Sequence, residues 1–457
     1  MCVQQCPKSL LRVPLPDAPE PHEAHARLAA ACATTFILES REGPERLARF
    51  SFVGFDPIGT LVYDRSGLHV TGALPSPSRD QDPLEYVRRV QAFYHVDDHE
   101  SPFIGGLVGT IGHDFVRAVE PTLDQGKDEA WPRFSFGLYL DGVVYDHRDG
   151  SATYVSRGDD RSGRLMDLLA GDRDAAPLKV DAVDAPVSDE VFEGQVRDAQ
   201  ALIRAGEAFQ IVLSRPFTAT HRGPLTHLYD HLRDAAPVPY LFHVRDGDRE
   251  LVGASPEMLV RVRHGVVETF PIAGTRPVTG DAATDDAAGE DLKQDRKETA
   301  EHAMLVDLAR NDLARVCAAG SIEVRAYQEL HRFHRVQHLV SRVTGRLDAG
   351  RDALDALAAV FPAGTVSGAP KVRALEHIDR IEQHPRGPYA GAVAYISFNG
   401  DFDSAITIRS LSGQGDRLTV QAGAGIVHRS DPASEAAETR HKAGTLLEAL
   451  ARFGGTP

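Results

Sequence analysis

The segment Lys297-Glu-Thr-Ala-Glu-His-Ala-Met-Leu-Val-Asp-Leu-Ala-Arg-Asn-Asp-Leu313 has the pattern of a helix with an acidic end. Glu298 and Glu301 stand three residues apart, so a helix places both carboxylates on one face, about one turn apart. Leu305 and Leu308 continue this side, which predicts that the acidic end faces into the protein. Because unpaired carboxylates are costly to bury, such a helix calls for a partner cation.

A solvated helix face is the simpler interpretation of this pair, with neighbouring Arg and Lys side chains as ion-pair partners. A second pair with the same spacing, Glu435 and Glu438, lies near the far end of the chain. If the two pairs faced one cleft, their charge would need compensation, which Mg²⁺ would supply. Spacing alone leaves both interpretations open.

The composition is that of a globular protein with a sizeable core: 457 residues, 42% hydrophobic and 25% charged. A formal charge of -16 argues against nucleic acid or an anionic membrane as partner. Four cysteines without a Cys-x-x-Cys pair fit a reducing compartment. We find no signal-peptide pattern and no apolar run near the roughly 20 residues of a membrane span, so we expect a cytoplasmic protein.

A stretch rich in Asp, Ala and Pro at residues 171–188 is the predicted linker. It separates an N-terminal domain, residues 1–175, from a second domain, residues 188–457. In the second part, strands are predicted in series at 240–244, 251–254, 258–262 and 266–271. Without helices between them, these strands predict a largely antiparallel sheet and an α+β fold.

Two helices are predicted beside the acidic one. The first would hold His331, His334 and His338, whose spacing of three and four is typical of one helical face. With no carboxylate or cysteine at ligand spacing, a proton-transfer role for one histidine is favoured over zinc. The second would run over residues 433–453, where Lys442 stands four residues beyond Glu438 and predicts a surface ion pair.

Two runs of small residues would allow a ligand to approach the backbone closely. Phe361-Pro-Ala-Gly-Thr-Val-Ser-Gly-Ala-Pro-Lys371 is consistent with an anion-binding nest and equally with a turn before a helix. Residues 421–427, Gln-Ala-Gly-Ala-Gly-Ile-Val, would expose their backbone. Gln210 is a polar residue inside a predicted strand, so it lies at a sheet edge or faces a site.

Ordered along the chain, these motifs resemble the chorismate-utilising enzymes. The motifs that carry the resemblance are Phe209-Gln-Ile-Val-Leu-Ser-Arg, Val252-Gly-Ala-Ser-Pro-Glu, Pro271-Ile-Ala-Gly-Thr-Arg, the Glu-Thr-Ala-Glu-His helix, Val336-Gln-His-Leu-Val-Ser, the 361–371 run, Tyr389, and residues 406–409 and 421–427. The resemblance implies a layered α/β/β/α sandwich of largely antiparallel sheets. It also implies lyase chemistry on chorismate.

The resemblance implies a role for individual residues. Mg²⁺ would be held chiefly by Glu301 and Glu438, with Glu298 and Glu435 in support. Glu257 would be the general acid for the departing 4-hydroxyl. The other catalytic positions would be Gln210, Thr275, His338 and Thr365, and the substrate carboxylate would be bound by Tyr389, Arg409, Lys442 and the backbone at Ala424 and Gly425.

Two positions discriminate among the members of this family. Members that add water carry a lysine base where this chain has Gln210, and glutamine cannot deprotonate water, so ammonia is the favoured nucleophile. Members that stop at 4-amino-4-deoxychorismate typically carry a nucleophilic lysine where this chain has Ala273. The resemblance therefore implies amination at C2 followed by pyruvate elimination, which gives anthranilate for tryptophan biosynthesis.

Two partners follow from the same resemblance. The chain has no cysteine in an amidotransferase elbow, so a separate glutamine amidotransferase subunit would supply ammonia. A feedback site for tryptophan is implied by Glu39, Ser40, Pro237 and Tyr240. In the second half of that motif, Ala236 and Val238 replace the family's Asn and Ser, which removes polar contacts.

Three alternatives to this function are considered. An aminodeoxychorismate synthase component is disfavoured by Ala273. An aminodeoxyisochorismate synthase would retain the enolpyruvyl group and release no pyruvate. A non-catalytic regulatory subunit that binds chorismate or tryptophan should have lost metal-site carboxylates, whereas all four glutamates are present.

Overall fold

The computed structural model describes residues 7–41, 49–123, 131–236, 238–332 and 336–455. The α-helices in these ranges are α1 (Pro21–Ala31), α2 (Pro83–Tyr94), α3 (Val116–Val119), α4 (Ser162–Leu169), α5 (Asp189–Arg204), α6 (Thr226–Ala235), α7 (Ala282–Gln294), α8 (Arg296–Ala314), α9 (Ala353–Val360), α10 (Gly364–Ser367), α11 (Lys371–Ile381) and α12 (Pro432–Arg452).

The strands are β1 (Leu11–Pro14), β2 (Thr34–Glu39), β3 (Phe50–Phe55), β4 (Gly59–Asp64), β5 (Gly67–Val70), β6 (Gly106–Ile111), β7 (Phe134–Tyr139), β8 (Asp141–Asp146), β9 (Ser151–Ser156), β10 (Lys179–Val180), β11 (Gln210–Arg222), β12 (Tyr240–Asp246), β13 (Arg249–Ser255), β14 (Met258–Arg263), β15 (Val266–Thr269), β16 (Ile272–Pro277), β17 (Glu323–Arg332), β18 (Val336–Arg346), β19 (Gly368–Ala369), β20 (Ala392–Ser397), β21 (Phe402–Ile406), β22 (Ser410–Gln414) and β23 (Arg417–Ile426).

The strands form two large sheets. Sheet A has the order β1-β9-β8-β3-β2-β12-β13-β22-β23-β11-β10, with β19 beside β11. Sheet B has the order β16-β18-β15-β14-β21-β20-β6-β7-β4-β5, with β17 beside β18. Neighbouring strands are antiparallel, as in the pairs β12–β13 and β20–β21, so the predicted antiparallel α+β architecture is confirmed.

The sheets face each other and are covered by helices outside. Aromatic and aliphatic side chains of both sheets fill the space between them, among them Phe36 and Phe242 of sheet A and Val393 and Tyr395 of sheet B. A second core lies between sheet A and helices α1, α4, α6 and α12. A third includes sheet B and helices α2, α9 and α11. This arrangement is the expected α/β/β/α sandwich.

Strands from both sides of the 171–188 stretch lie in each sheet. In sheet A, β2 pairs with β12, and in sheet B, β6 pairs with β20. The division into an N-terminal and a catalytic domain stays a prediction. The pairing shows that the two segments are joined through continuous sheets.

The predicted elements near the acidic helix agree with the structure, with one exception. Helix α8 covers the acidic segment, α12 covers the predicted C-terminal helix, and β12 to β15 match the four predicted strands. The predicted histidine helix is wrong. His331 lies in β17 opposite His338 of β18, and His334 lies outside the described residues.

None of the described helices combines the length and the apolar character that crossing a membrane requires.

Candidate active site

Helix α8 carries Glu298 and Glu301 near its N-terminus, which faces the N-terminal end of α12 across a cleft. The Asp295 side chain caps the helix, accepting hydrogen bonds from the backbone N–H of Lys297 at 2.9 Å and of Glu298 at 3.2 Å. Glu298 lies in the first turn, where the helix dipole favours negative charge, and Glu301 lies about one turn farther along. Farther along, buried His302 lies 2.6 Å from the Ser341 hydroxyl of β18, which anchors α8 on sheet B.

Helix α12 brings the second glutamate pair to the same cleft. Its N-cap, Asp431, accepts from the backbone N–H of Ser434 at 2.9 Å. Burial raises the pKa of Glu301, and repulsion from Glu298, Glu435 and Glu438 raises it further. The four carboxylates thus lie close enough to repel one another, so the two pairs share one cleft.

The cleft has more negative than positive side chains. Lys442 lies 2.6 Å from Glu438, and Lys297 lies 3.8 Å from Glu301, so two ammonium groups face four carboxylates. An all-oxygen donor set of this charge suits Mg²⁺. Among the described residues, no three of these glutamates bring oxygens within 4.8 Å of one another. Cation binding would therefore draw the two helix ends together.

Glu257 is a buried carboxylic acid next to this cleft. It precedes β14, and its side chain accepts a hydrogen bond from the Thr365 hydroxyl of α10 at 2.9 Å. Burial raises the pKa of Glu257 to about 7, although Thr365 and the charge of Lys442 act in the opposite direction. A large fraction of Glu257 is therefore protonated near neutral pH and is able to donate a proton.

Arg409 and Tyr389 flank the β20–β21 hairpin. Arg409 has φ of +51° and Ala390 has φ of +62°, so two strained residues lie at the open end of the hairpin, where Ala392 pairs with Ile406. The Arg409 guanidinium donates to the backbone carbonyl of Lys442, which joins the hairpin to α12. Burial lowers the pKa of Arg409, while Tyr389 and Glu438 raise it. An anion in the cleft would compensate this buried positive charge.

Small residues of β23 leave room beside these groups. A Cβ at Gly423 would lie 2.5 Å from the Tyr389 hydroxyl, and a Cβ at Gly425 would lie 2.8 Å from the Gln210 side-chain nitrogen. Gln210 at the start of β11 is half-buried and lies beside Gly425. Ala424 between the two glycines is fully buried. A ligand could therefore approach the backbone of residues 423–425 closely.

His338 completes the group on sheet B. Its Nδ1 lies 2.8 Å from the carbonyl of Gly274 and 3.2 Å from the Thr275 hydroxyl. A carbonyl only accepts hydrogen bonds, so Nδ1 carries the proton and Nε2 is unprotonated in the neutral ring. Burial lowers the pKa of His338, and Arg409 lowers it further, against the effect of Gly274. The imidazole is therefore neutral near pH 7.

The 361–371 run is a turn that leads into helices, not a nest that includes its lysine. Thr365 lies in α10, and Lys371 begins α11. The Lys371 ammonium donates to Asp312 at 2.8 Å and to the Val360 carbonyl at 2.7 Å. Lys371 therefore forms a buried ion pair that holds α11 against α8.

A buried ion pair behind Tyr389 was not predicted. Arg386 donates to both carboxylate oxygens of Glu382, and to the carbonyls of Val366 and Val212 at 2.7 Å each. Glu382 also accepts from the Ser214 N–H at 2.7 Å. The pair ties α10 and β11 together under the site. In sequence, an i, i+4 Glu–Arg pair looks like an ordinary helix-surface pair.

Three of the residues predicted to bind tryptophan, Glu39, Ser40 and Tyr240, line a different cavity, between the sheets. This cavity of about 300 Å³ is lined by aromatic side chains and by the buried Arg261–Asp403 ion pair. Tyr240 donates to Asp403 at 3.3 Å. Ser40 contributes to the lining, and Pro237 lies outside the described residues.

Glu39 lines that cavity, but its carboxylate has partners of its own on a neighbouring helix. Its carboxylate accepts hydrogen bonds from the Tyr229 hydroxyl at 2.7 Å and from Arg233 at 2.9 Å, both on α6. Side chains alternate between faces along a strand, and Leu38, Glu39's neighbour, packs in the core between the sheets. The Glu39 carboxylate thus binds helix α6 on the outer face of sheet A, and its role as a tryptophan ligand stays a prediction.

Comparison with known proteins defines the class. Residues 33–448 match the family of chorismate binding enzymes, and the chain belongs to that family. An isochorismate synthase of Escherichia coli, 21% identical, has the same fold, with a TM-score of 0.75 over 98% of this chain and 95% of that one.

Within the family, this chain is similar to anthranilate synthase component 1. That protein of Methanothermobacter thermautotrophicus is 43% identical over 438 residues, 95% of this chain and 93% of the relative. The crystal structure of anthranilate synthase component I from Streptococcus pneumoniae has a TM-score of 0.76 at 37% identity, over 88% of this chain and 92% of that one.

Proposed function

We propose that this chain is the chorismate-aminating component of an anthranilate synthase, which converts chorismate and ammonia to anthranilate, pyruvate and water. The observation that carries the proposal is the buried acid Glu257, whose pKa is raised to about 7, beside four carboxylates and the buried cation Arg409. Departure of a hydroxyl from a dianion needs a proton donor, a cation site and a positive anchor. Similarity to anthranilate synthases supports the same assignment.

Substrate binding is proposed to divide between two ends of the cleft. Glu301 and Glu438, supported by Glu298 and Glu435, would hold Mg²⁺; bound there, the ion supplies positive charge for the ring carboxylate of chorismate. At the other end, Arg409 and Tyr389 would bind the enolpyruvyl carboxylate. The backbone at Ala424 and Gly425 and the ammonium of Lys442 would complete that end.

The proton chemistry is assigned to two side chains, Glu257 and His338, each held in position by a threonine. Glu257 donates its proton to the 4-hydroxyl as ammonia adds at C2, so the hydroxyl leaves as water. Thr365 holds the Glu257 carboxyl in place through its hydrogen bond. His338, with Nε2 unprotonated, would accept the C2 proton as the bond to the enolpyruvyl oxygen breaks, and the departing enolpyruvate takes up a proton to become pyruvate. Thr275 fixes the ring of His338.

Ammonia is favoured over water because the side chain beside Gly425 is Gln210, which is not a base. Ala273 in β16 offers no nucleophile for a covalent route to 4-amino-4-deoxychorismate. A glutamine amidotransferase subunit is the proposed source of ammonia in the cell. Tryptophan biosynthesis is the proposed pathway, and the cytoplasm is the proposed compartment.

The test is a direct assay of the purified chain with chorismate, MgCl₂ and an ammonium salt at alkaline pH. We expect fluorescent anthranilate and an equimolar amount of pyruvate, without glutamine or a second subunit. Amination without pyruvate would instead identify an aminodeoxyisochorismate synthase. No turnover of chorismate at all would support a regulatory subunit and reject the proposal.

Feedback regulation is the second proposed function and is supported by the cavity between the sheets. Its aromatic lining suits an indole, and Arg261 and Asp403 offer charged groups. We expect tryptophan to inhibit anthranilate formation, and Tyr240→Ala to weaken the inhibition without changing uninhibited turnover. Inhibition by tryptophan that is unchanged in this variant would place its binding site elsewhere.

A further inference from the structure

Two histidines and an aspartate meet at a site remote from the cleft. His99, His264 and Asp401 each place one ligand atom within 4.8 Å of the other two. The imidazole rings of His99 and His264 lie edge to face with their centroids 4.5 Å apart. Asp401 is buried with 3% exposure, while the histidines face solvent. The cluster is thus open on one side and closed on the other.

The three residues come from distant parts of the chain. His99 follows α2, His264 lies in the turn between β14 and β15, and Asp401 precedes β21. Arg409 follows β21, so Asp401 and Arg409 lie at opposite ends of that strand. A strand rises about 3.3 Å per residue, which separates the cluster from the substrate end by roughly 17 Å. The cluster is therefore separate from the proposed Mg²⁺ cleft.

His264 occupies a position that favours other residues. The β14–β15 turn has two residues, His264 and Gly265, with φ of +50° and +71°. Such hairpin turns are dominated by Asn, Asp and Gly, because positive φ crowds larger side chains. In this conformation the His264 imidazole contacts that of His99, and residues held in strained conformations cluster at functional sites.

Neighbouring charges decide whether a cation is tolerated. The Arg263 guanidinium lies 4.0 Å from Asp401, which is beyond hydrogen-bond distance, and opposes a cation there. Asp97 lies 3.1 Å from Nε2 of His99 and favours one. A carboxylate beside an imidazole is also the arrangement that orients metal-binding histidines. Two carboxylates against one guanidinium leave the site net negative.

We propose that His99, His264 and Asp401 form a zinc-binding site that joins the segment after α2 to the β14–β15 and β20–β21 turns. Two imidazoles and one carboxylate match Zn²⁺, which takes three protein ligands and a water in tetrahedral geometry. Mg²⁺ prefers oxygen ligands and water, so the two metal sites select different ions. The zinc site links segments of both parts of the chain and stabilises their contact.

The experiment is a calorimetric titration of the untagged, chelator-treated full chain with ZnCl₂, in excess MgCl₂ so that the acidic cleft is occupied. We expect one Zn²⁺ ion to bind tightly to each protein chain. His264→Asn should weaken that binding by more than about 100-fold, because loss of a direct ligand exceeds the 10–100-fold effect of altered supporting groups. Asn suits the positive φ at this position, so the variant should fold.

The matched control is His69→Asn, which removes another exposed hairpin histidine beside an aspartate, Asp64. This variant should bind Zn²⁺ as the wild type does. Co²⁺ should give the visible absorption of a tetrahedral site in the wild type and in His69→Asn, and lose it in His264→Asn. Zn²⁺ at 100 times its Kd should raise Tm by on the order of 3 °C.

Equal Zn²⁺ affinity in the wild type and His264→Asn would overturn the proposal, as would the absence of a stoichiometric site in the wild type. Anthranilate formation in Mg²⁺ should be the same in the wild type and His264→Asn. Because activity and Zn²⁺ binding are measured separately, a failure of the zinc proposal can be distinguished from a failure of the proposed catalytic function.

Discussion

At the scale of the residue, Glu257 illustrates how burial keeps a carboxyl group partly protonated near neutral pH. Glu257 is only 9% exposed and its carboxyl accepts a hydrogen bond from Thr365, so the ionised form loses hydration that one hydroxyl does not replace. The resulting pKa of about 7 leaves a proton on this carboxyl near neutral pH, as the proposed role of general acid requires. Because of the same burial, ionisation of Glu257 destabilises the folded protein.

Glu257→Gln should abolish turnover and stabilise the protein at alkaline pH. The carboxyl has a pKa near 4.5 in the unfolded chain and about 7 in the folded one. Its contribution to stability is therefore full below pH 4.5 and is lost as pH rises through about 7. At pH 8 the variant should gain on the order of 1–3 kcal/mol in free energy of unfolding, measured by urea denaturation. Exposed Glu448→Gln is the control and should change neither quantity.

The pH dependence of the wild type follows from the same group. At a constant concentration of free ammonia, kcat/KM should fall above about pH 7, as Glu257 loses the proton that it donates. The measurement compares initial rates from pH 6 to 9, with the ammonium salt adjusted at each pH. A flat profile would exclude Glu257 as the general acid.

Glu301→Gln and Glu438→Gln should each lower the apparent affinity for Mg²⁺ by at least about tenfold, because each would remove a charged oxygen ligand. The measurement is the dependence of anthranilate formation on MgCl₂ concentration. Glu290→Gln on the neighbouring helix α7 is the matched control. Two variants with wild-type Mg²⁺ dependence would refute the ligand assignment.

Sequence patterns point to individual residues, but they do not show which distant residues those side chains contact in the fold. The i, i+3 spacing of Glu298 and Glu301 predicted a shared face, but no pattern places α12 beside α8. The buried Glu382–Arg386 pair was missed because its spacing is that of a solvated pair, and only its tertiary partners distinguish the two cases. The family resemblance, not spacing, singled out Glu257.

At the scale of the element, Arg215 fixes the position of α12. It is 1% exposed and lies on β11, where it donates to the Thr439 hydroxyl at 2.8 Å and the Ala436 carbonyl at 2.9 Å. A third hydrogen bond, of 2.8 Å, reaches Asp189 of α5. One guanidinium therefore sets how α12 presents its glutamate pair to the cleft.

Arg215→Met should displace the glutamates of α12 without touching the substrate. We expect a loss of about 3 kcal/mol in free energy of unfolding, since removing one partner leaves buried polar groups unpaired. The MgCl₂ concentration that gives half-maximal activity should rise by a larger factor than the KM for chorismate. A general loss of stability would not produce this difference. Exposed Arg204→Met on α5 is the control. Loss of stability with an unchanged Mg²⁺ requirement would show a purely structural role.

The histidine segment shows why an element was predicted wrongly. Spacing of three and four among His331, His334 and His338 favoured a helix, but three residues alone do not define a period. The following Leu339-Val-Ser-Arg-Val-Thr344 run is rich in β-branched residues, which favour strands. Tertiary pairing of β18 with β15, β16 and β17 then decides the conformation.

At the scale of the whole molecule, the sheets are shared between the two parts of the chain. A fragment of residues 188–457 would lose β2 beside β12 and β6 beside β20, which opens both sheets in the middle. We therefore expect this fragment to be unfolded or aggregated. Circular dichroism and near-UV spectra of the fragment, compared with the full chain, check this. A fragment with native spectra and cooperative unfolding would establish an autonomous catalytic domain.

Fold class and strand order differ in how far sequence predicts them. Alternation and the absence of intervening helices predicted antiparallel strands at residues 240–271. The order of strands in each sheet depends on packing among residues hundreds of positions apart, which leaves no local pattern. The composition change at 171–188 suggested a boundary, yet β10 within it extends sheet A beside β11.

The pairing of β6 with β20 also constrains how the chain is made. Gly106 of β6 pairs with Ser397 of β20, so synthesis must pass residue 397 before sheet B closes. Until then β6 exposes a hydrogen-bonding edge, and such edges associate with other chains. Nascent chains of this protein should therefore depend on chaperones that shield strand edges during synthesis, and refolding yield from denaturant should fall as protein concentration rises.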